Sequence, residues 1–239
     1  MNGPIKPIYL FADSQLLFWK NEETLFLQSL RDGIDAEEPK AAYIGASNDD
    51  NPEYYSIFQA AMEGIHIRNT RMIQSTFSEE EKEFLSAADI ILLAGGDVHK
   101  GWDIFVNTEV KSIITKRYYE GAALIGVSAG AVQLGLGNLT PGSVSPGDFE
   151  YMFKFVPFLL DVHDEEKHWS GLKHTVRTMG NNMVGLGIAS GGGMIYYPDQ
   201  TMEAVRHPAH EFSLNGEKLM YCLVYPPEKE IRECFEAAI

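Results

Sequence analysis

Gly126-Val127-Ser128-Ala129-Gly130 is the stretch of this chain best suited to chemistry. An uncharged apolar run, Ala122-Ala123-Leu124-Ile125, leads into it and small residues follow. That pattern reads as a buried strand turning sharply into a helix, with a serine held at the turn. The flanking glycines remove side chains that would collide with strand and helix. The helix start points free N–H groups at an oxyanion forming beside the serine. A serine nucleophile also needs a base, a group that orients the base, and an oxyanion hole. Gly95-Gly96-Asp97 follows the strand that precedes the elbow strand. If those strands are parallel neighbours, their C-terminal ends share one rim, where open α/β sheets place their sites. The N–H groups of Gly96 and Ala129 are the candidate oxyanion hole. The bland alternative is a pair of glycine-rich turns with an incidental serine.

Seven histidines compete for the role of base. His66 sits in a strand-like segment, His168 and His174 on a predicted helix, and His207 and His210 in a predicted surface turn. His99 follows the glycine pair and could reach the mouth of the site. His163 is the best candidate, because it ends the apolar strand Phe158-Leu159-Leu160-Asp161-Val162 some 35 positions after the serine. For the acid, a loop offers Asp148 and Glu150, and the strand offers Asp161. Asp161 and His163 share a strand face by the two-residue period. Side chains two apart run parallel, however, so a loop residue approaches the imidazole more readily, which favours Asp148. An ordinary α/β-hydrolase carries its acid and histidine much further along the chain.

Alternating strands and helices must position these groups. Strands are expected at 8–12, 41–46, 65–68, 89–94 and 122–127. Helices are expected at 22–31, 53–63, 78–88, 100–105 and 109–120, with Pro52 at a first turn and Ser78-Glu79-Glu80-Glu81 as a capping box. Downstream come a loop-rich stretch at 137–148, strands at 155–162 and 184–188, and a helix at 165–179. Late strands follow at 195–197, 202–205 and 219–224, with Asn215-Gly216 as a hairpin turn and a terminal helix at 228–238. The expectation is a single domain over 1–239: an α/β fold with a mostly parallel, doubly wound sheet flanked by helices, plus late antiparallel strands.

A net charge of −15 lacks the basic face that nucleic acid or an anionic membrane surface needs. No apolar run approaches the ~20 residues of a membrane span, and the N-terminus has no signal-like apolar segment. A cytoplasmic protein is the default. Cys222 and Cys234 read as two ordinary reduced thiols without metal-like spacing.

Leu93-Ala94-Gly95-Gly96-Asp97, Gly126-Val127-Ser128-Ala129-Gly130-Ala131 and Leu160-Asp161-Val162-His163, in this order, resemble the peptidase E and cyanophycinase family of serine peptidases. Ala42-Tyr43-Ile44-Gly45-Ala46-Ser47, with Glu53-Tyr54-Tyr55 and Phe58, is similar to that family's second strand and following helix. The resemblance implies a fold related to class I glutamine amidotransferases, with serine at the elbow. It implies Ser128 as nucleophile, His163 as base, and Gly96 with Ala129 as the oxyanion hole. It implies hydrolysis of small aspartyl or β-aspartyl peptides, without metal or organic cofactor, and a homodimer is compatible with such an enzyme. Two departures stand out. The family often carries basic residues after the histidine, where this chain has Asp164-Glu165-Glu166-Lys167-His168-Trp169. Asp97, His99, His168 and Arg177 are the candidates to read the substrate, with Lys167 another possible cation. The strand Gly185-Leu186-Gly187-Ile188 is followed by Ala189-Ser190, where the cyanophycinase branch tends to carry an acid. The same triad on ester or amide substrates, or a non-catalytic binding member, are the rival readings.

Overall fold

The computed structural model describes residues 3–140, 142–181, 183–227 and 232–236. Strand β1 (Ile8–Phe11) is followed by a small hairpin, β2 (Lys20–Asn21) and β3 (Thr24–Leu25), and a short helix α1 (Gln28–Asp32). Then β4 (Lys40–Ile44), α2 (Pro52–Gly64), β5 (Asn69–Ile73), α3 (Glu79–Ser86) and β6 (Ile90–Leu93) alternate. Helices α4 (Val98–Asn107) and α5 (Val110–Tyr119) lead to the elbow strand β7 (Ala123–Val127) and helix α6 (Ala129–Leu134). A second hairpin, β8 (Gly137–Leu139) and β9 (Phe149–Tyr151), precedes β10 (Leu159–Val162), α7 (Ser170–Met179) and β11 (Val184–Ile188). The chain finishes with β12 (Gly193–Tyr196), β13 (Met202–Val205), β14 (Ala209–Asn215), β15 (Lys218–Val224) and β16 (Arg232–Glu236).

The main sheet has the order β13-β12-β1-β7-β6-β4-β5. Its five strands from β1 to β5 are parallel, and β12 and β13 add an antiparallel edge. β1 shows why the sheet is buried on both sides. Ile8 and Leu10 join the apolar layer under α3 to α6, while Tyr9 and Phe11 join the layer under α1 and α2. The helices start where their sequences say they should. The Asn51 side chain accepts from the Glu53 N–H with Pro52 in the first turn, and Ser78 and Glu81 close a reciprocal capping box. The elbow strand lies between β1 and β6, with Leu93 beside Gly126. The glycine pair after β6 therefore shares a rim with Ser128, as the sequence led us to expect.

The late part of the chain corrects several expectations. β10 and β11 belong not to the main sheet but to a second one, β10-β11-β14-β15-β16, so the antiparallel strands are divided between two sheets. Helix α7 packs on the second sheet through Trp169, Leu172 and Val176, against Phe212 and Leu219. His210 lies within β14 rather than in a surface turn. Of residues 22–31, 22–25 belong to the small hairpin, and helix begins only at Gln28. The strand expected at 65–68 begins at Asn69. Of the expected terminal helix at 228–238, the described part, 232–236, is strand β16, and the rest lies outside the described residues. Tertiary pairing decides this: β16 docks on β15 with Cys234 opposite Cys222. The two cysteines form a disulfide, so they are not the pair of free thiols their spacing suggested. Protein unfolded without reductant should show no titratable thiol, and two after reduction; two thiols before reduction would remove the bond.

Candidate active site

Ser128 sits between β7 and α6 with φ 51° and ψ −113°, a strained conformation for a non-glycine residue. Its amide donates to the Phe11 carbonyl at 2.9 Å, which ties the turn to the end of β1. The two glycines of the motif make the turn possible by contact rather than flexibility. A Cβ at Gly126 would lie 2.6 Å from the Ala131 backbone, and one at Gly130 would lie 2.1 Å from the Leu93 carbonyl oxygen. Helix α6 can thus cross directly over β7 and β6.

The rim after β6 is equally tight. Gly96 adopts φ 137°, and a Cβ there would lie 2.0 Å from the Ser47 carbonyl oxygen. The Asp97 amide donates to that same oxygen at 2.8 Å. The Asn48 amide group donates to the Gly95 carbonyl and to the Tyr43 hydroxyl, both at 3.0 Å. The fully buried Gln133 of α6 donates to Ser47 Oγ at 3.1 Å and to the Val98 carbonyl at 2.8 Å. Elbow helix, Ser47 loop and glycine rim are therefore one hydrogen-bonded unit. The Gly95 backbone packs against Ser128: a Cβ there would lie 3.1 Å from the serine Cβ and 3.7 Å from its Oγ. Gly96 follows on the rim, and Ala129 opens α6 on the other side of Ser128.

His163 meets Ser128 from the second sheet, with Nε2 2.9 Å from Oγ. It lies just beyond β10 at φ 43°, its amide donating to the Ile188 carbonyl. That positive φ turns His163 off the strand and breaks the two-residue alternation. Asp161 consequently does not share its face. It lines a separate cavity with Asn138, Thr140, Ser143 and His174, and its Oδ1 accepts from the Val162 amide at 2.9 Å. Burial pushes the Asp161 carboxyl up to about 6, against the lowering effect of that amide.

The other candidate acids are engaged elsewhere. Asp148 accepts from Ser143 Oγ at 2.6 Å on an exposed loop, and Glu150 lies 2.9 Å from His99 Nδ1. Neither is brought to His163. The four residues considered for substrate reading are likewise spread out. Asp97 caps α4 by accepting from the Lys100 amide, His99 is held by Glu150, and His168 and Arg177 are exposed at the end of a 3-10 turn and in the last turn of α7. None lines the cavity beside Ser128.

Sequence reasoning missed Glu165. Its Oε1 accepts from the Ser190 amide at 3.1 Å, while its Oε2 is buried without a hydrogen-bond partner. Burial raises the Glu165 carboxyl, but hydrogen bonds from Ser190 and its own backbone, helped by the charge of His163, outweigh it and hold the group below the usual carboxylate range. The signal was present in the sequence as a gap: the segment after Gly187-Ile188 has no acid of its own, and it is Glu165 that reaches its backbone.

A cavity of about 330 Å³ opens beside Ser128 and His163. Among the described residues no cluster of three or more His, Cys, Asp or Glu side chains could hold a metal ion, and no helix is long and apolar enough to cross a membrane.

Comparison with known proteins follows the same lines. The family model for peptidase family S51 matches residues 10–143, more than half of the chain. A peptidase from an acI-B1 Actinobacterium superposes with a TM-score of 0.62 at 16% identity, covering 98% of this chain and 96% of that one. A candidate peptidase E from Listeria monocytogenes EGD-e superposes with a TM-score of 0.61 at 14% identity, covering 85% and 99%. These likenesses are of fold. Among curated proteins there is no match.

Two outcomes are expected. Gly96→Ala should destabilise the protein by at least about 2 kcal/mol in denaturant titration, because it adds a clash to a conformation only glycine adopts readily. For Asp161 the folded pKa lies above the unfolded one, so its cost is absent below about 4, grows through the interval, and is full above about 6. Asp161→Asn, which keeps the acceptor for Val162, should therefore raise Tm at pH 7.5 by roughly 2–4 °C, corresponding to about 1 kcal/mol after discounting for partial exposure, and leave it unchanged near pH 4.

Proposed function

Because the chain belongs to peptidase family S51, we propose that it hydrolyses a peptide bond with Ser128 as nucleophile and His163 as general base. The 2.9 Å contact between Ser128 Oγ and His163 Nε2 carries this reading. Ser128 Oγ donates its proton to Nε2 as it attacks the carbonyl carbon. The carbonyl oxygen becomes an oxyanion beside the rim, where the amides of Gly96 and Ala129 serve as donors, an effect typically worth ~3 kcal/mol each. The imidazolium then protonates the departing amine, leaving an acyl-serine. Water, deprotonated by the same nitrogen, releases the acid and restores the serine.

Glu165 is the orienting acid in this scheme. Asp161 and Glu165 both sense the charge of His163. Asp161, however, faces the other cavity, whereas Glu165 keeps a buried, unpaired oxygen beside the loop that follows β11. A buried acceptor without a donor is costly, and an imidazolium N–H is the donor that catalysis would supply. The disulfide between Cys222 and Cys234 weighs against the cytoplasm as the place of work, since such bonds persist chiefly in oxidising compartments.

Labelling by a fluorophosphonate should map to Ser128 and vanish in Ser128→Ala, together with at least about a 10³-fold loss of dipeptide hydrolysis. Glu165→Gln should lower kcat by about 10²–10⁴-fold with little change in KM, shift the acidic limb of the pH profile downward, and be partly rescued in Glu165→Asp. Asp148→Asn should stay within about threefold of wild type. A larger loss in Asp148→Asn than in Glu165→Gln would reassign the acid.

A further inference from the structure

The cavity beside Ser128 has a chemical character of its own. Its walls include Leu17, Tyr43, Tyr54, Ile57, Phe58 and Val127. Among the described residues no Lys or Arg lines it, and its one carboxylate is that of Asp13. Burial, opposed by the Asn48 amide, pushes the Tyr43 hydroxyl up to about 12, so this wall stays neutral. The Asp13 carboxylate is held in place by the amides of Gln15 and Gly191, at 2.8 and 2.7 Å, and by the Gln15 side chain at 3.2 Å. It places a fixed carboxylate on that wall. At the mouth, Tyr54 and Ile57 stand one helical turn apart on α2 and remain 53% and 36% exposed. Large apolar side chains left in water at a concave mouth are where a ligand adds burial.

We infer that this cavity takes the substrate side chain next to the scissile bond and selects a neutral apolar or aromatic residue over an aspartyl or β-aspartyl one, an inference that rests on the Ser128–His163 reading above. An aspartate side chain entering here would leave water without meeting a cation and would face the Asp13 carboxylate. A leucine or phenylalanine would instead cover Tyr54 and Ile57 and complete the apolar wall. The cations offered by the sequence do not change this balance, because Lys167, His168 and Arg177 are exposed and lie outside the cavity lining.

The test is a matched series of X-Leu dipeptides with X as Phe, Leu, Ala, Asp or isoaspartate. Phe-Leu and Leu-Leu should exceed Asp-Leu by at least about tenfold in kcat/KM. Ile57→Lys, a change at the mouth and away from the reacting atoms, should narrow or invert that ratio. Equal or faster cleavage of Asp-Leu or its β-linked isomer by wild type would overturn the inference while leaving Ser128 as nucleophile. If no dipeptide turns over but a fluorophosphonate labels Ser128, protection from labelling ranks the same compounds: stronger protection by Leu-Leu supports the inference, and stronger protection by Asp-Leu overturns it. Absence of both turnover and labelling would instead defeat the Ser–His reading, and the inference with it.

Discussion

Everything in this site depends on holding Ser128 in a conformation its backbone would not choose. Positive φ at a residue with a side chain costs on the order of 1–3 kcal/mol, so it persists only where the surroundings leave no alternative. Here they leave none. The serine amide is bonded to β1, and the glycines on either side let α6 rest on the backbones of β6 and β7. Central placement of β7 in a sheet covered on both faces supplies the rigidity, since both apolar layers would have to open before the turn could relax. The glycine rim is bound to the same unit through Gln133 and Ser47, so the serine turn and the rim are tied together.

His163 is held differently. It projects from the second sheet, its amide bonded to Ile188 just before the Ala189–Gly192 turn that joins β11 of the second sheet to β12 of the main one. Two carboxylates grip adjacent amides of that turn: Glu165 takes the Ser190 N–H and Asp13 takes the Gly191 N–H. One carboxylate comes from beside the base and the other from the end of β1. This pair of contacts registers the two sheets against each other at the point where a fraction of an ångström decides whether a proton can transfer.

The sequence was most legible where the physics is local. An apolar run ending in small residues reports a strand, a turn and a helix, and the parallel sheet, the elbow and the glycine rim followed from it. His163 was found for the same reason, at the end of an apolar strand. Its surroundings were not, because the positive φ at His163 cancels the alternation from which the position of Asp161 was argued. Asp148 and Glu150 looked available only because their partners, Ser143 and His99, are close in space but not placed by any sequence period. The disulfide was hidden by a similar gap. Cys222 and Cys234 become partners through the register of the edge strand β16 on β15, and β16 has a charged, weakly patterned sequence that reads equally well as a helix.

The division of Ser128 and His163 between two sheets also sets the order in which they meet along the chain. Ser128 and its glycine rim both lie within residues 10–143, the region that the family model matches. The imidazole arrives 35 residues later, and the turn that positions it comes later still. A chain emerging from the ribosome, or one cut short before β10, would therefore carry the serine turn without the imidazole that meets it. The order of the elements along the polypeptide makes the contact between Ser128 and His163 one of the last to form, waiting on the docking of the second sheet.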